Sequence, residues 1–190
     1  MKALIAHIAA WLFRKMQGAE LYPALRNLRR DGHHIIVSAT FGPRVQLRIA
    51  DGARLNIGKG VEVLHDSWLI AHEGNSLDID EGVFISQHCT VSGTVHIGRN
   101  TLIGGFVTII DGNHVFSDSA SPVKTQGGVQ KPIDIGEDVW IGTNSVILQG
   151  VRIGDHAVVA ANATVTKDVP DWAVVAGTPA RVIRDRREEA

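Results

Sequence analysis

Residues 135–154, Ile135-Gly136-Glu137-Asp138-Val139-Trp140-Ile141-Gly142-Thr143-Asn144-Ser145-Val146-Ile147-Leu148-Gln149-Gly150-Val151-Arg152-Ile153-Gly154, place an isoleucine at every sixth position. The rhythm continues at Val159 and Val165, and an earlier run repeats it at Ile79, Ile85, Val91, Ile97, Ile103 and Ile109. A weaker opening, Ile57-Gly58, Val63 and Leu69, precedes both. A period of six fits neither a helix nor a hairpin sheet. It fits a parallel β-helix, in which each hexad is one short strand plus a corner and neighbouring coils share one core. Three hexads close a triangular coil, so Ile79 is expected under Ile97, Ile85 under Ile103 and Ile135 under Ile153. Each coil adds one strand spacing, about 4.8 Å. The period does not give the hand of the coil, and parallel crossovers are usually right-handed.

The interruptions carry as much as the repeat, which runs from about 55 to 170. Residues 111–132 leave the rhythm with His114 near their start, and a polar loop extruded from a regular coil is where chemistry is expected. Between Leu69 and Ile79 the spacing is ten, which predicts a bulge at Ala71–Ser76. Alternating Ile35, Val37, Val45, Leu47 and Ile49 predict strands feeding the first coil. Residues 1–31 read as one or two helices, with Pro23 opening the second. The charged tail Arg181–Ala190 reads as a helix or a frayed end. The organisation is therefore a helical and strand cap over 1–45, the β-helix over 46–184 and a charged tail over 185–190.

Charge is balanced, 19 Lys+Arg against 20 Asp+Glu, which gives no general case for nucleic-acid binding. The lone Cys89 excludes an internal disulfide and reads as a buried hydrophobe. Ala3–Phe13 is apolar but too short to span a bilayer, which takes about 20 residues. Its stripe of Leu4, Ile5, Ile8, Leu12, Phe13 and Met16 suits packing on the coil or on a neighbouring subunit. Lying on a membrane surface is the other reading, helped by Lys2, Arg14 and Lys15. The expected location is cytoplasmic, with peripheral membrane contact through residues 1–16 left open.

Three motifs then converge. Val139-Trp140-Ile141-Gly142, Val165-Thr166-Lys167-Asp168-Val169-Pro170 and Ala176-Gly177-Thr178-Pro179-Ala180-Arg181 resemble the hexapeptide-repeat acyltransferases. Within them the match is to the galactoside, maltose and xenobiotic acetyltransferases and to sugar O-acetyltransferases of polysaccharide synthesis. The resemblance covers about 45–184. It implies an all-β fold, a left-handed parallel β-helix, a homotrimer, and acetyl transfer from acetyl-coenzyme A at clefts between subunits. Residues 1–45 lack the acidic helical cap of the maltose and galactoside enzymes, which leaves the acceptor open.

By this resemblance His114, in Asp111-Gly112-Asn113-His114, is the catalytic histidine. A sugar hydroxyl is a weak nucleophile near neutral pH, and an imidazole can take its proton during attack on a thioester. Asp111 and Asn113 orient the base or bind the acceptor, or simply form the turn. Ser86 and Trp140 are further candidates for the acceptor side, with solvent exposure and subunit packing as their ordinary alternatives. Thr143, Ala161, Thr166, Lys167 and Arg181 match positions that contact coenzyme A, the last two as cations for its phosphates. Carbonic anhydrases on the same scaffold use zinc through two histidines five residues apart. Neither His65/His72 nor His88/His96 has that spacing, so no metal is expected, and Asp78, His96 and His114 read as an outward column. The expected activity is acetylation of a hydroxyl on a sugar or glycan intermediate. Acetylation of an amino sugar or drug nitrogen is the alternative, and a non-catalytic β-helix scaffold is the reading from another class.

Overall fold

The computed structural model describes residues 34–35 and 39–189; the expected N-terminal helices and the apolar stripe of residues 1–16 lie outside the described residues. The described residues form a parallel β-helix with three faces. The first face holds His34–Ile35, Arg54–Ile57, Ser76–Ile79, Val95–Ile97, Ile133–Ile135 and Arg152–Ile153. The second holds Thr40–Phe41, Glu62–Val63, Phe84–Ile85, Leu102–Ile103, Trp140–Ile141, Val158–Val159, Ala173–Ala176 and Arg181–Asp185. The third holds Gln46–Ile49, Trp68–Ala71, Thr90–Ser92, Thr108–Ile110, Val146–Ile147 and Thr164–Val165.

The expected stacking is present: Ile79 pairs with Ile97, Ile85 with Ile103 and Ile135 with Ile153. Each short strand turns one side chain in and its neighbour out. Ile103, Ile141 and Ile147 are wholly buried, whereas Leu102 keeps 45% of its surface. Cys89 is buried as expected, and burial pushes its thiol up to about 11, which keeps it from acting as a nucleophile.

Three sequence readings need correction. The ten-residue spacing before Ile79 is not a bulge. Trp68–Ala71 and Ser76–Ile79 are each four residues long, and a tight turn closed by Asn75 N–H to His72 C=O joins them. The preceding coil does the same with Gln46–Ile49 and Arg54–Ile57, so Leu47 pairs with Leu69 and the coil starts earlier than the six-residue rhythm does. The tail is not helical at its start: Arg181–Asp185 runs antiparallel to Ala173–Ala176, followed by a 3-10 turn at Arg186–Glu189. A terminal coil exposes a row of unpaired backbone groups, and this strand covers the last edge of the second face. Finally, His96 does not stack on His114. The insertion shifts the next coil, and His96 pairs instead with Asp78 below and Asp134 above.

His96 Nδ1 lies 2.8 Å from Asp134 Oδ1, and Nε2 lies 3.4 Å from Asp80 Oδ2. Partial burial opposes its charge, but the Asp134 and Asp80 carboxylates outweigh it and raise the pKa. A group whose pKa rises on folding stabilises the fold below the unfolded value, about 6.5. That contribution disappears as pH rises through the folded value. His96→Gln should therefore lower the thermal midpoint on the acidic side of this window and leave the alkaline side nearly unchanged. Thermal melts at both ends check it. For the core, Ile103→Ala should cost about 2–5 kcal/mol by denaturant unfolding.

Candidate active site

The departure at 111–132 is an antiparallel hairpin, Gly112–His114 against Gly128–Gln130, carried on the corner between the third and first faces. Its root is sewn into the coil. Asp111 N–H donates to Ser92 C=O, Lys131 N–H to Asp111 C=O, and Gly150 N–H to Lys131 C=O. Asp111 itself is only 2% exposed, and its carboxylate accepts the Thr94 N–H at 2.7 Å. Gly93 sits against that carboxylate at φ +108°, where a Cβ would overlap it. Asp111 thus has an architectural job and lies beneath the hairpin rather than on it.

Beside the hairpin runs a groove of about 1030 Å³, to which His114, Asn113, Lys131, Gln149 and Thr166 contribute. His114 is exposed; its own N–H donates to Asn113 Oδ1 at 2.8 Å. No hydrogen bond to the His114 ring is present among the described residues. Lys131, Gln149 and Gln130 were not singled out from the sequence. They sit at corner or hairpin positions, where the six-residue period says nothing about direction. The only signal for them was position, next to the two ends at which the rhythm breaks and resumes.

The remaining candidates lie elsewhere on the chain. Trp140 points outward from the second face, 54% exposed, in a column with Phe84, Leu102 and Val158. Ser86 follows Phe84–Ile85 toward the corner with the third face and donates its hydroxyl to Gln87 Oε1 at 2.6 Å. Thr143 and Ala161 are exposed on successive coils of that same corner. Gly104 and Gly142 let them stack closely: a Cβ at Gly104 would come within 2.7 Å of the Thr143 nitrogen, and one at Gly142 within 2.5 Å of the Ala161 nitrogen. Lys167 is exposed beside Thr166, and Arg181 opens the terminal strand with its guanidinium on the Ala180 carbonyl at 2.8 Å. One chain therefore gathers His114, Asn113 and Thr166 at one corner, and Ser86, Trp140, Thr143 and Ala161 on the second face and its corner with the third.

Among the described residues one group offers three ligand atoms within 4.8 Å of one another: His65, Asp66 and His88. Arg44 already occupies both Asp66 oxygens at 2.6 Å, and His65 Nδ1 shares one of them at 2.8 Å. Arg44 and His65 hold the Asp66 carboxyl well below its ordinary range. That is a closed ion pair rather than an open metal seat. Among the described residues no helix is long and apolar enough to cross a membrane.

Comparison with known proteins places the scaffold in a family. Residues 132–167 match the bacterial transferase hexapeptide family of six repeats. A hexapeptide-repeat-containing acetyltransferase from Vibrio cholerae, solved with acetyl-coenzyme A, is 31% identical with a TM-score of 0.51, covering 88% of this chain and 76% of that one. The chain belongs to the hexapeptide-repeat acetyltransferase family, and its coil is the left-handed parallel β-helix of that family. A probable acetyltransferase of Mycobacterium tuberculosis is 32% identical over 137 residues, 71% of this chain and 45% of the relative. A 2,3,4,5-tetrahydropyridine-2,6-dicarboxylate N-acetyltransferase of Staphylococcus aureus is 44% identical over 99 residues, 52% of this chain and 34% of the relative. The chain thus spans less than half the length of these two curated relatives.

The hairpin root gives a structural test. Asp111→Ala removes the charged acceptor of the Thr94 N–H and should destabilise the fold by about 1–3 kcal/mol. Backbone hydrogen exchange should quicken at Thr94 and Lys131 before it does in the central coils.

Proposed function

We propose that this chain transfers an acetyl group from acetyl-coenzyme A to a hydroxyl of a sugar or glycan intermediate, with His114 as general base. The observation that carries the reading is the exposed His114 on a hairpin anchored to a rigid coil, sharing its groove with Thr166 of the cofactor motif. The His114 imidazole takes the hydroxyl proton as the acceptor oxygen attacks the thioester carbonyl. The C–S bond then breaks, and the thiolate leaves with a proton returned from the imidazolium. No acyl-enzyme is needed, since Cys89 is buried and held as a thiol.

Coenzyme A is assigned to the exposed flat strip of Thr143 and Ala161, to Thr166, and to Lys167 and Arg181 for its phosphates. These positions lie on different corners of one chain, and the groove beside the hairpin takes in Thr166 but neither Thr143 nor Ala161. We therefore assign a homotrimer in which the His114 hairpin of one copy faces the second face of the next, with Ser86 and Trp140 toward the acceptor. The outward column Phe84–Leu102–Trp140–Val158, in which Leu102 and Trp140 are exposed and Phe84 and Val158 half-buried, supports a covered wall there, and Asn113 stands beside the base. A nitrogen acceptor is the second reading, favoured by the similarity to the Staphylococcus aureus N-acetyltransferase over half of this chain.

Thiol release from acetyl-coenzyme A with hydroxyl and amine acceptors tests the proposal. His114→Ala should lower turnover by about 10²–10⁴ with coenzyme A affinity nearly intact; wild-type turnover in that variant rejects the base. Inactive His114→Ala and Trp140→Ala chains, refolded together, should regain activity, because a closed ring places two intact walls in some of its clefts. A monomer in solution contradicts the shared cleft.

A further inference from the structure

The His114 groove contains one polar atom that the fold does not satisfy. Gln149 Oε1 is shut off from solvent and is the one buried side-chain nitrogen or oxygen without a hydrogen-bond partner among the described residues. Buried polar groups are nearly always paired, and an unpaired one calls for a reason. Gln149 lies two residues beyond Ile147 in the coil between the one that carries the hairpin root and the one that carries Thr166 and Lys167. The register fixes this order: Ile109 pairs with Ile147, and Ile147 with Val165. Gln149 therefore stands at the level between the proposed base and the proposed cofactor motif, and it lines their common groove.

A ligand that joins those two levels is an acyl-coenzyme A, and the part that does so is the pantetheine arm. That arm carries two secondary amides, each with one donor and one acceptor. A primary carboxamide such as Gln149 presents the same complementary pair. The match holds whichever way the Gln149 amide is turned, because rotation about its last bond exchanges oxygen and nitrogen.

Resting on the function proposed above, we infer that Gln149 is a binding residue for an amide of the donor's pantetheine arm, drawn outward to meet it and relieved of its unpaired buried atom when the donor is in place. Nearby groups suit this role. The Lys131 stem lies over Gly150, where an added Cβ would come within 3.1 Å of it, and so walls the groove next to Gln149. Leu148 and Ile110 supply the apolar surface along which the arm's methylenes can lie.

The test compares wild type with Gln149→Leu, which keeps the bulk and removes both amide groups. Dissociation constants are measured by calorimetry for coenzyme A, for 4′-phosphopantetheine, which keeps the arm, and for adenosine 3′,5′-bisphosphate, which lacks it. Loss of a neutral hydrogen bond should weaken coenzyme A and 4′-phosphopantetheine alike by roughly three- to tenfold, with the bisphosphate unchanged. Without ligand, Gln149→Leu should melt no lower than wild type, since an unpaired buried polar atom has been removed. A lower melting point with equal losses for all three ligands would make Gln149 a structural residue and overturn the inference. Equal coenzyme A affinity in variant and wild type overturns it alone. A wild-type chain that binds no coenzyme A brings down the functional proposal, and this inference falls with it.

Discussion

Everything in this molecule hangs on the in-register backbone ladder between successive coils. Leu102 N–H meets Val139 C=O and Gly104 N–H meets Ile141 C=O, each at 2.8 Å, and similar bonds recur on every face. The ladder stacks like on like, so one aliphatic column becomes a continuous core although no coil could bury its own interior. It also explains how a 22-residue excursion is tolerated. The chain may leave between Ile109 and Ile135 provided it re-enters in register, and it does: Val95 pairs with Ile133 and Ile109 with Ile147. Asp111 and Lys131 hold the two ends of that departure together, which passes the rigidity of the solenoid to the base of the hairpin.

The same ladder creates a liability at its last coil, where backbone groups have no successor. The chain answers by folding Arg181–Asp185 back onto Ala173–Ala176 and tying Arg186 to Asp138 and to the His156 carbonyl. His156 stacks on Trp172 at 4.1 Å between ring centres, and Arg187 lies over the same indole. A strongly charged tail thus serves as a lid on the sheet edge, with Arg186 and Arg187 paired to Asp138 and Asp185 while still exposed.

How much of this was legible in the sequence follows from what period six encodes. It records which side chains point inward, and so Ile79, Ile97, Ile103 and Ile153 were placed correctly, as was buried Cys89. It does not record strand length, and the four-residue strands flanking Asn75 imitate a bulge. Nor does it record what an insertion does. Gly112-Asn113-His114 has no alternation that would announce a strand, because its pairing partner Gly128–Gln130 is set by closure of the loop. Asp111 looked like a site residue for a related reason. An aspartate next to a candidate base invites a chemical role, while the absence of a side chain at Gly93, which makes room for its carboxylate, is visible only once the coils are stacked. Lys131 and Gln149 escaped because groove-lining residues on a solenoid come from corners, where side-chain direction follows local turns rather than the repeat.

The architecture also separates two tasks that compact enzymes mix. Core and ladder fix the spacing between coils, and therefore the levels at which His114, Gln149 and Thr166 stand along the groove. Residues that would meet an acceptor sit on outward positions of the second face or on the hairpin, where Trp140, Ser86 and Asn113 take no part in the core. On the proposed function, substitution there would change chemistry without disturbing register, whereas a change at the buried Ile103 or Ile141 strikes the core and not the outward site. The proposed function therefore puts acceptor choice in the part of the molecule least constrained by the fold. The repeat declares the family plainly because it is written in the inward column, and the proposal leaves the choice between a hydroxyl and an amine to side chains the repeat does not encode.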